Sequence, residues 1–379
     1  METLNKDIII EVADAFQLEG RVLNAKPYGS GHINDTFAVE CERKDGSIKR
    51  YILQRINTNV FKNPVQVMEN IVGVTNYLGK LIEKLGGDPM RETLTVIPTR
   101  DNKSFYVDNQ GGYWRSFHFI EDTITYDQVR SKEDFYNSAR AFGKFQMLLS
   151  DYPAETLHET IPNFHNTVDR FAKFVEAVEK DICGRVKYVS SEIAFVMERE
   201  RDTYKLIDLL NEEKLPLRVT HNDTKLNNVL IDKKTGEGIC VIDLDTVMPG
   251  TSLYDYGDSI RFGATYAAED EPDLSKVNFD LELFEVYTKG WLEVAGDVLT
   301  PYEIENLPMG AKLMTLESGI RFLTDYLSGD TYFKVHREGH NLDRCRTQLK
   351  LVSDMEACWG EMRRIVQKYS KKQVQRNSM

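Results

Sequence analysis

The sequence predicts an α+β fold of two lobes, a small β-rich lobe followed by a larger and mostly helical one. Short strand patterns separated by glycine turns fill most of the first 120 residues. From residue 131 onward apolar residues recur at helical spacing. One polar hairpin, at residues 217–245, interrupts this helical part. We therefore expect lobes at 1–120 and 121–370, and a disordered tail at 371–379.

The first lobe is predicted to be an antiparallel sheet with one helix packed on it. Glycine-containing turns, GSG and KDGS, divide residues 21–56 into three strands. Pro64 begins a helix that continues to about Leu85, where two glycines follow. Further strands are expected near 93–98, 103–108 and 111–120.

The second lobe is predicted to be helical around the polar hairpin. Its helices are expected at 131–150, 165–181, 188–213, 278–296, 309–328 and 345–369. The hairpin consists of a strand at 228–232, a turn at KKTGEG and a strand at 239–243. No internal repeat stands out.

Composition excludes several classes of function. The net charge is −12 and no strong basic patch occurs, so a nucleic-acid partner is not expected. No apolar run is long enough to span a bilayer, and the acidic start does not resemble a secretory signal. The five cysteines are scattered without a CxxC pair, which disfavours a structural zinc or a disulfide framework. We expect a cytoplasmic protein with no membrane partner.

The residues suited to catalysis cluster at the hairpin, in the stretch THNDTKLNN (220–228). The second strand ends on Asp243, and antiparallel pairing would return Asp243 to the neighbourhood of Asn228. A carboxylate and an amide oxygen that converge in this way suit Mg²⁺. Asp223 could accept a proton from a substrate hydroxyl, and Lys225 could offset the charge of a transferring phosphoryl group.

These parts are the ones that phosphoryl transfer requires. The spacing H-x-D-x-K-x-x-N is that of the protein-kinase catalytic loop, and Asp243 fits the metal-binding Asp that follows it. Asn222 replaces the usual Arg and DLD replaces DFG, departures that resemble the aminoglycoside phosphotransferases and choline kinases. The alternative is a solvated Asn/Asp-rich turn, which Lys225, the hairpin and Asp243 together disfavour. The predicted fold is protein kinase-like.

Three neighbouring residues are predicted to have supporting roles. His221 is expected to brace the loop by hydrogen bonds rather than to act as a base. Asp255 is expected to brace the same loop by accepting backbone N–H bonds, with a helix N-cap as the alternative. Asp245 is interpreted as either a second carboxylate near the metal or a turn residue.

A nucleotide site is predicted in the first lobe, with ATP as the phosphoryl donor. Gly29, Ser30 and Gly31 lie between two strands, as a glycine-rich loop over phosphates would. A plain hairpin turn is the alternative. Phe119 and Ile120 lie where the lobes join, so their backbone could bind adenine, unless this is an ordinary strand end.

The lysine that protein kinases carry on the third strand is missing. The strand YILQRI offers Gln54 or Arg55 instead, and Arg55 is the candidate substitute although Arg and Lys are not interchangeable. Glu69 on the following helix could pair with that cation, but a solvated helix position is the simpler interpretation.

Several longer motifs resemble the N-acetylhexosamine 1-kinases, a family within the aminoglycoside phosphotransferase and choline kinase-like superfamily. These motifs are PYGSGHIN, YILQ, PLRVTHNDTKLNN, VIDLDTVMPG, YGDSIRFGA, RFLTDYLSGDTYF and HNLDRCRTQLKLV. They extend over nearly the whole chain in the same order. The resemblance implies transfer of the ATP γ-phosphate, with Mg²⁺, to the anomeric hydroxyl of N-acetylglucosamine or N-acetylgalactosamine. It also implies that the family lacks the strand lysine.

Carried over residue by residue, the resemblance makes Asp223 the base and places Asn228 and Asp243 on the metal-binding positions. It places Arg321 and Tyr332 on sugar-contacting positions. The remaining assignments are His32, a further candidate contact to sugar or phosphate, and Asp325, which would steer the Arg321 guanidinium.

Plainer interpretations of these residues stay open. Glu317, Arg321 and Asp325 are spaced four apart, so they could form a surface ion-pair ladder on a helix. Tyr332 could be a core aromatic residue.

Two alternative functions also remain. One is a kinase for another small acceptor, such as galactose, an unacetylated hexosamine, an amino alcohol or an aminoglycoside. The other is a non-catalytic kinase-like sensor, which the retained Asp223, Asn228 and Asp243 disfavour.

Overall fold

The N-terminal part is an antiparallel sheet, as the sequence predicts. The computed structural model describes residues 6–29 and 33–376. The strands are β1 (Arg21–Pro27), β2 (Asp35–Glu42), β3 (Ile48–Arg55), β4 (Val96–Ile97), β5 (Tyr106–Val107) and β6 (Tyr113–His118). Their order is β1-β2-β3-β6-β4, and β5 also pairs with β6. Only two residues pair in each of β4 and β5, because the chain between them turns where Thr99 and Lys103 exchange hydrogen bonds.

Three helices accompany this sheet, α1 (Lys6–Asp14), α2 (Pro64–Lys84) and α3 (Pro89–Glu92). The predicted start of α2 is confirmed, since Pro64 occupies its first turn and the Asn63 side chain caps it by accepting from Gln66 N. The sequence interpretation missed α1, which packs against β1. Its apolar residues join a separate core under the sheet that includes Phe16 and Trp114.

The remainder is mostly helical, and the predicted fold class is confirmed. Its helices are α4 (Lys132–Leu148), α5 (Thr167–Lys180), α6 (Ser190–Met197), α7 (Glu200–Thr203), α8 (Lys205–Asn211), α9 (Ser252–Gly263), α10 (Leu281–Ala295), α11 (Pro301–Glu305), α12 (Leu307–Leu327), α13 (His340–Ala357) and α14 (Trp359–Arg376). Its strands are β7 (Thr123–Ile124), β8 (Arg218–Thr220), β9 (Val229–Asp232), β10 (Gly238–Val241) and β11 (Met248–Gly250).

Some predicted boundaries are wrong. The helix expected at 188–213 is three short helices, and the one expected at 345–369 is two helices that meet at Cys358. The disordered tail was expected from 371, but α14 continues to Arg376. The Lys and Gln residues of this segment are good helix formers, which explains the extension. None of the helices in the described part of the chain combines the length and apolarity needed to cross a membrane.

Packing of the helical part holds the hairpin β9–β10 in place. In that hairpin Val229 pairs with Val241, and β7 pairs with the other edge of β9. The buried faces of α4, α9, α10 and α12 contact one another in one large apolar core. The segment between Thr220 and Val229 therefore connects two strands, β8 and β9, whose positions are fixed by packing. Its polar side chains are held in fixed positions as a result.

Candidate active site

The hairpin brings the two halves of the polar cluster together. The Ile242 N–H donates to the Asn228 carbonyl oxygen at 2.9 Å, directly beyond the last strand pair. Asp243 then adopts a left-handed conformation, with φ of 60° and ψ of 55°, which Asp tolerates better than most residues. The predicted return of Asp243 to the neighbourhood of Asn228 is confirmed.

Asp223 is held by two neighbours from its own loop. The Lys225 Nζ lies 2.9 Å from one carboxylate oxygen, and the Asn228 amide donates to the other at 3.2 Å and to the Asp223 carbonyl oxygen at 2.8 Å. Burial alone would raise the pKa of Asp223, but the Lys225 ammonium lowers it below its usual value. The carboxylate is therefore ionised, and with 26% of its side chain exposed it can meet a substrate.

Asp243 is exposed and lies in an acidic environment. Loss of hydration by the surrounding protein and the neighbouring carboxylates of Asp245 and Asp223 raise its pKa. A bound cation would remove this penalty, because it favours the ionised form. In the described part of the chain no cluster of three His, Cys, Asp or Glu side chains could hold a metal.

Arg115 is the functional residue that the sequence interpretation missed. It lies on β6, is 1% exposed, and both of its terminal nitrogens donate to the Asp245 carboxylate, one of them at 2.8 Å. The Asn34 amide donates to the same carboxylate at 2.7 Å. Asp245 is therefore more than a plain turn residue. It is an anchor that ties the loop carrying Asp243 to the N-terminal sheet. A place for Asp245 as a second carboxylate near a metal stays a prediction.

Gln54 belongs to this anchor. It pairs with Arg115 across β3 and β6, accepts from the Arg115 Nε at 3.0 Å, and donates to Thr36 at 3.0 Å. The signal that could have revealed Arg115 is its position inside a strand between the large apolar residues Trp114 and Phe117, where a charge needs a buried partner.

The two candidate substitutes for the strand lysine lie on opposite faces of β3, because side chains alternate along a strand. The Arg55 guanidinium is 6.0 Å from the Trp114 ring centroid. Burial raises the pKa of Asp108 nearby, but hydrogen bonds from Trp114 and from backbone N–H groups, with a smaller contribution from Arg55, lower it below its usual value. A nucleotide contact of either residue stays a prediction. Glu69 pairs instead with His158 at 2.7 Å and is exposed, in agreement with its simpler interpretation.

The nucleotide residues are only partly covered by the structure. Ser30, Gly31 and His32 lie outside the described residues. Gly29 follows β1 with φ of +82°, a backbone conformation that favours glycine. Phe119 follows β6, where its ring packs against Tyr28 at 5.3 Å.

Ile120 is buried, and its carbonyl oxygen accepts from the Thr123 hydroxyl at 2.9 Å. That carbonyl therefore already has one donor. The adenine contact expected of Phe119 and Ile120 stays a prediction.

His221 and Asp255 brace the loop, as predicted. His221 is fully buried, accepts from Asp223 N at 3.3 Å through Nδ1, and donates from Nε2 to the Ile242 carbonyl oxygen at 2.8 Å. Asp255 is also fully buried and accepts from His221 N at 2.9 Å, Asn222 N at 2.8 Å and the Gln146 amide at 2.7 Å. It lies within α9 rather than at its N-cap, so the alternative interpretation is wrong.

Replacing Asp255 by Ala is expected to lower the free energy of unfolding by about 3 kcal/mol, because three buried donors lose their acceptor. Urea-induced unfolding measures this change. Asp255→Asn keeps one acceptor oxygen, so its free energy of unfolding should lie between those of Asp255→Ala and the wild type. The exposed residue Asp151 gives the control, since Asp151→Ala is expected to change stability by less than about 0.5 kcal/mol. Equal effects of the two Ala variants would contradict the bracing role.

Arg321 lies in an aromatic cluster, on the side of the loop near Asn222. Its guanidinium carbon is 5.2 Å from the Phe164 ring, 5.9 Å from the Tyr332 ring and 5.5 Å from the Phe333 ring. Tyr332 is 64% exposed, so it is not a core aromatic residue.

Glu317 links this cluster to the catalytic loop. It is nearly fully buried and lies 3.8 Å from Arg321. Its carboxylate also contacts the His165 Nδ1 at 3.0 Å, and the His165 Nε2 is 3.3 Å from the Asn222 carbonyl oxygen. Because Glu317 and Asp325 are both buried, the surface ion-pair ladder is excluded.

The predicted role of Asp325 is wrong. Its carboxylate accepts from the backbone N–H groups of residues 331–333 at 2.8–2.9 Å and from the Asn341 amide at 2.8 Å. Asp325 therefore shapes the loop that carries Tyr332 rather than steering Arg321. The sequence spacing placed it correctly on the helix, but it could not show that the following loop folds back over it.

Comparison with known proteins gives one family and a set of similar folds. The family model described as the phosphotransferase enzyme family, APH, matches residues 24–291. A microcompartment-associated aminopropanol kinase is similar in structure, with a TM-score of 0.60, 17% identity, and coverage of 95% of this chain and 99% of that one. A choline kinase from Cryptosporidium parvum Iowa II has a TM-score of 0.57 at 14% identity, covering 97% and 98%.

A third similar structure is a spectinomycin phosphotransferase in complex with ADP and spectinomycin. Its TM-score is 0.56 at 14% identity, and the match covers 95% of this chain and 100% of that one. Identities this low establish a shared fold alone.

Proposed function

Because the chain belongs to the phosphotransferase enzyme family, we propose that it is an ATP-dependent kinase that phosphorylates the anomeric 1-hydroxyl of N-acetylhexosamines. The observation that carries the proposal is the ionised Asp223 carboxylate beside Lys225, at the mouth of a hairpin that also presents Asn228 and Asp243. A base, a cation and oxygen ligands at one place are what transfer of a phosphoryl group to a hydroxyl requires.

Asp223 receives the acceptor hydroxyl. Its carboxylate oxygen accepts a hydrogen bond from the sugar 1-OH and takes the proton late, since a loose transition state depends on positioning more than on a strong base. Lys225 releases part of its contact with Asp223 and offsets the charge of the transferring phosphoryl group. His221 and Asp255 keep the backbone of this loop fixed while the charge moves.

Asn228 and Asp243 are the residues that would hold Mg²⁺. Asn228 uses its amide nitrogen for Asp223, which leaves its side-chain oxygen for a cation. Mg²⁺ held by these residues would supply positive charge that offsets the charge of the nucleotide phosphates. Arg115 and Asn34 hold Asp245, and through it the loop that carries Asp243.

Arg321 and Tyr332 are the proposed sugar contacts. The Tyr332 ring is exposed and can stack against a pyranose, while its hydroxyl can bond to a sugar hydroxyl. The Arg321 guanidinium is 16% exposed and has one distant carboxylate partner, so it retains donors for a sugar hydroxyl or an acetamide oxygen. Support for these two residues comes from the resemblance and from the link of Arg321 through Glu317 and His165 to the Asn222 carbonyl oxygen. His32 remains a further candidate contact.

A second candidate is a kinase for an amino alcohol or an aminoglycoside. The specific reason is that three structures of the same fold are an aminopropanol kinase, a choline kinase and a spectinomycin phosphotransferase. The nucleotide chemistry would be the same, and only the acceptor would differ.

An acceptor panel separates these candidates. We expect ADP release with Mg²⁺-ATP in the presence of N-acetylglucosamine or N-acetylgalactosamine, because both present the same 1-hydroxyl to Asp223. The product should give a sugar 1-phosphate signal by phosphorus NMR. Glucosamine, galactose, choline, aminopropanol and spectinomycin serve as comparison acceptors. Turnover confined to the amine-bearing acceptors would favour the amino alcohol or aminoglycoside kinase over the N-acetylhexosamine kinase. Binding of ATP without turnover on any acceptor would contradict the kinase assignment.

A further inference from the structure

Arg170 is a second guanidinium beside the aromatic cluster that contains Arg321. It lies near the start of α5, and its Nε and Nη2 both donate to the Phe164 carbonyl oxygen, at 3.3 Å and 2.8 Å. The ring of the same Phe164 lies 5.2 Å from the Arg321 guanidinium carbon. One residue therefore contacts both arginines, Arg170 through its carbonyl oxygen and Arg321 through its ring.

The two guanidinium groups are close enough to influence each other. Burial lowers the pKa of Arg170, and the positive charge of Arg321 lowers it further, whereas Glu317 and Tyr332 act in the opposite direction. Arg170 therefore belongs to the same cluster as Arg321 and Tyr332, the two proposed sugar contacts.

Neither guanidinium has a carboxylate to itself. Glu317 is the ion-pair partner of Arg321, at 3.8 Å, but the Glu317 carboxylate also bonds to the His165 Nδ1 at 3.0 Å. Within the described residues no carboxylate lies at ion-pair distance from Arg170, and Asp169, which precedes it, pairs with a lysine one turn further along α5 at 2.6 Å. Positive charge therefore exceeds negative charge around these two arginines.

The other carboxylates near this cluster are already occupied. Asp330 pairs with an arginine at 2.6 Å, and Asp325 accepts hydrogen bonds from the backbone of the loop that carries Tyr332. The proposed base Asp223 is paired with Lys225 at 2.9 Å. Both guanidinium groups are partly exposed, whereas the carboxylate that they share is nearly fully buried. A ligand that enters beside Tyr332 therefore meets positive charge.

Such a site distinguishes acceptors by charge. The acetamide group of an N-acetylhexosamine is neutral, and its oxygen accepts hydrogen bonds from a guanidinium. The Arg170 Nη1 makes no hydrogen bond within the described residues, so it can donate to that oxygen. A protonated amine offers only donors and a positive charge, so it is repelled and leaves the guanidinium donors without an acceptor. A repulsive contact with the wrong ligand is a common source of specificity.

We propose that Arg170 is a specificity-determining residue of the acceptor site, where its guanidinium, together with that of Arg321, selects N-acetylated hexosamines and excludes acceptors that carry a cationic amine. The inference rests on the proposed function and adds to it a residue and a physical reason for the choice of acceptor. It favours the sugar over the amino alcohols and aminoglycosides of the second candidate.

The test replaces Arg170 by Gln and compares N-acetylglucosamine with glucosamine, which share the ring and the 1-hydroxyl. We expect the ratio of kcat/KM for N-acetylglucosamine to that for glucosamine to fall about three- to tenfold, the effect of one unit charge several ångströms away in a partly hydrated site. KM for ATP should stay within about twofold of the wild-type value. Arg170→Lys keeps the charge without the paired bonds to Phe164, so it should retain the wild-type ratio.

Lys180→Gln is the matched control. It removes a positive charge from the last turn of the same helix, where the lysine is 61% exposed. This position is about 15 Å along the helix axis from Arg170, which exceeds the Debye length of about 8 Å at physiological salt, so the ratio should not change. If Arg170 only held the Phe164 carbonyl in place, its Gln and Lys variants would lower kcat/KM for both sugars by one factor, and that result would overturn the inference.

Calorimetric titration of the two sugars in the presence of ADP separates this inference from the proposed function. A wild-type preference for N-acetylglucosamine that shrinks in Arg170→Gln would support the role of Arg170 even if neither sugar were phosphorylated, a result that would contradict only the proposed function. Phosphorylation of N-acetylglucosamine with the same ratio in the wild type and in Arg170→Gln would overturn the inference and leave the proposed function standing. Wild-type binding of glucosamine or choline as tight as that of N-acetylglucosamine, or no binding of either sugar, would also overturn the inference.

Discussion

Replacement of Asp223 by Asn is expected to lower kcat by about 10²–10⁴-fold, the range that a positioned general base contributes. The Asn side chain keeps one oxygen that can accept from the Asn228 amide, so the loop geometry should persist. It cannot take a proton from the acceptor hydroxyl, and it no longer holds the Lys225 ammonium by charge. The loss should therefore fall on the chemical step rather than on folding.

The measurement is steady-state ADP release with the acceptor that the panel identifies, together with calorimetric binding of ATP. We expect the Kd for ATP to stay within about threefold of the wild-type value, because Asp223 contacts the acceptor and not the nucleotide. Asp151→Asn is the matched control, with an exposed carboxylate replaced in the same way. Near-normal turnover in Asp223→Asn would exclude Asp223 as the base.

Sequence reasoning predicted that these polar residues meet at the hairpin, because the information for that geometry is local. Asp223, Lys225 and Asn228 lie within six positions, and a hairpin with a short turn fixes where Asp243 must lie relative to them. His221 and Asp255 were also placed correctly, since a dense polar loop at the end of a buried strand needs internal hydrogen bonds. The structure adds their partners and distances.

The contacts that sequence reasoning missed are those between distant segments. Arg115 and Asp245 are 130 positions apart, and neither the spacing nor the composition of the two segments relates them. The role of Asp325 was predicted wrongly for the same reason. Its partners at residues 331–333 depend on how a loop folds back over a helix. The sequence also could not show which of Gln54 and Arg55 lies on the same face of β3 as Arg115, because that face is set by pairing with β6.

The Arg115–Asp245 pair provides the second large effect. Arg115→Met is expected to reduce the free energy of unfolding by about 3–5 kcal/mol, the usual cost of removing one partner from a buried ion pair. The buried Asp245 carboxylate would then lie next to the Asp243 carboxyl without its cation, and the Asn34 amide that still donates to it would not neutralise its charge. Arg115→Lys keeps the charge but loses the bidentate contact with Asp245, so it should lower the free energy of unfolding by less than Arg115→Met does.

A double variant distinguishes this explanation from simple loss of packing. Arg115→Met combined with Asp245→Asn removes both charges, so most of the lost stability should return, whereas the two effects would add if the residues acted independently. Urea unfolding followed by circular dichroism and by tryptophan fluorescence is suitable, because Trp114 is adjacent to Arg115 and coincident curves establish a single transition.

Recovery of stability in the double variant need not restore activity. In the double variant no ion pair ties the loop that carries Asp243 to the N-terminal sheet. We therefore expect its KM for Mg²⁺-ATP to be higher than that of the wild type, even where its free energy of unfolding is normal. Additive losses of stability, or a normal KM in the double variant, would show that Asp245 does not depend on Arg115.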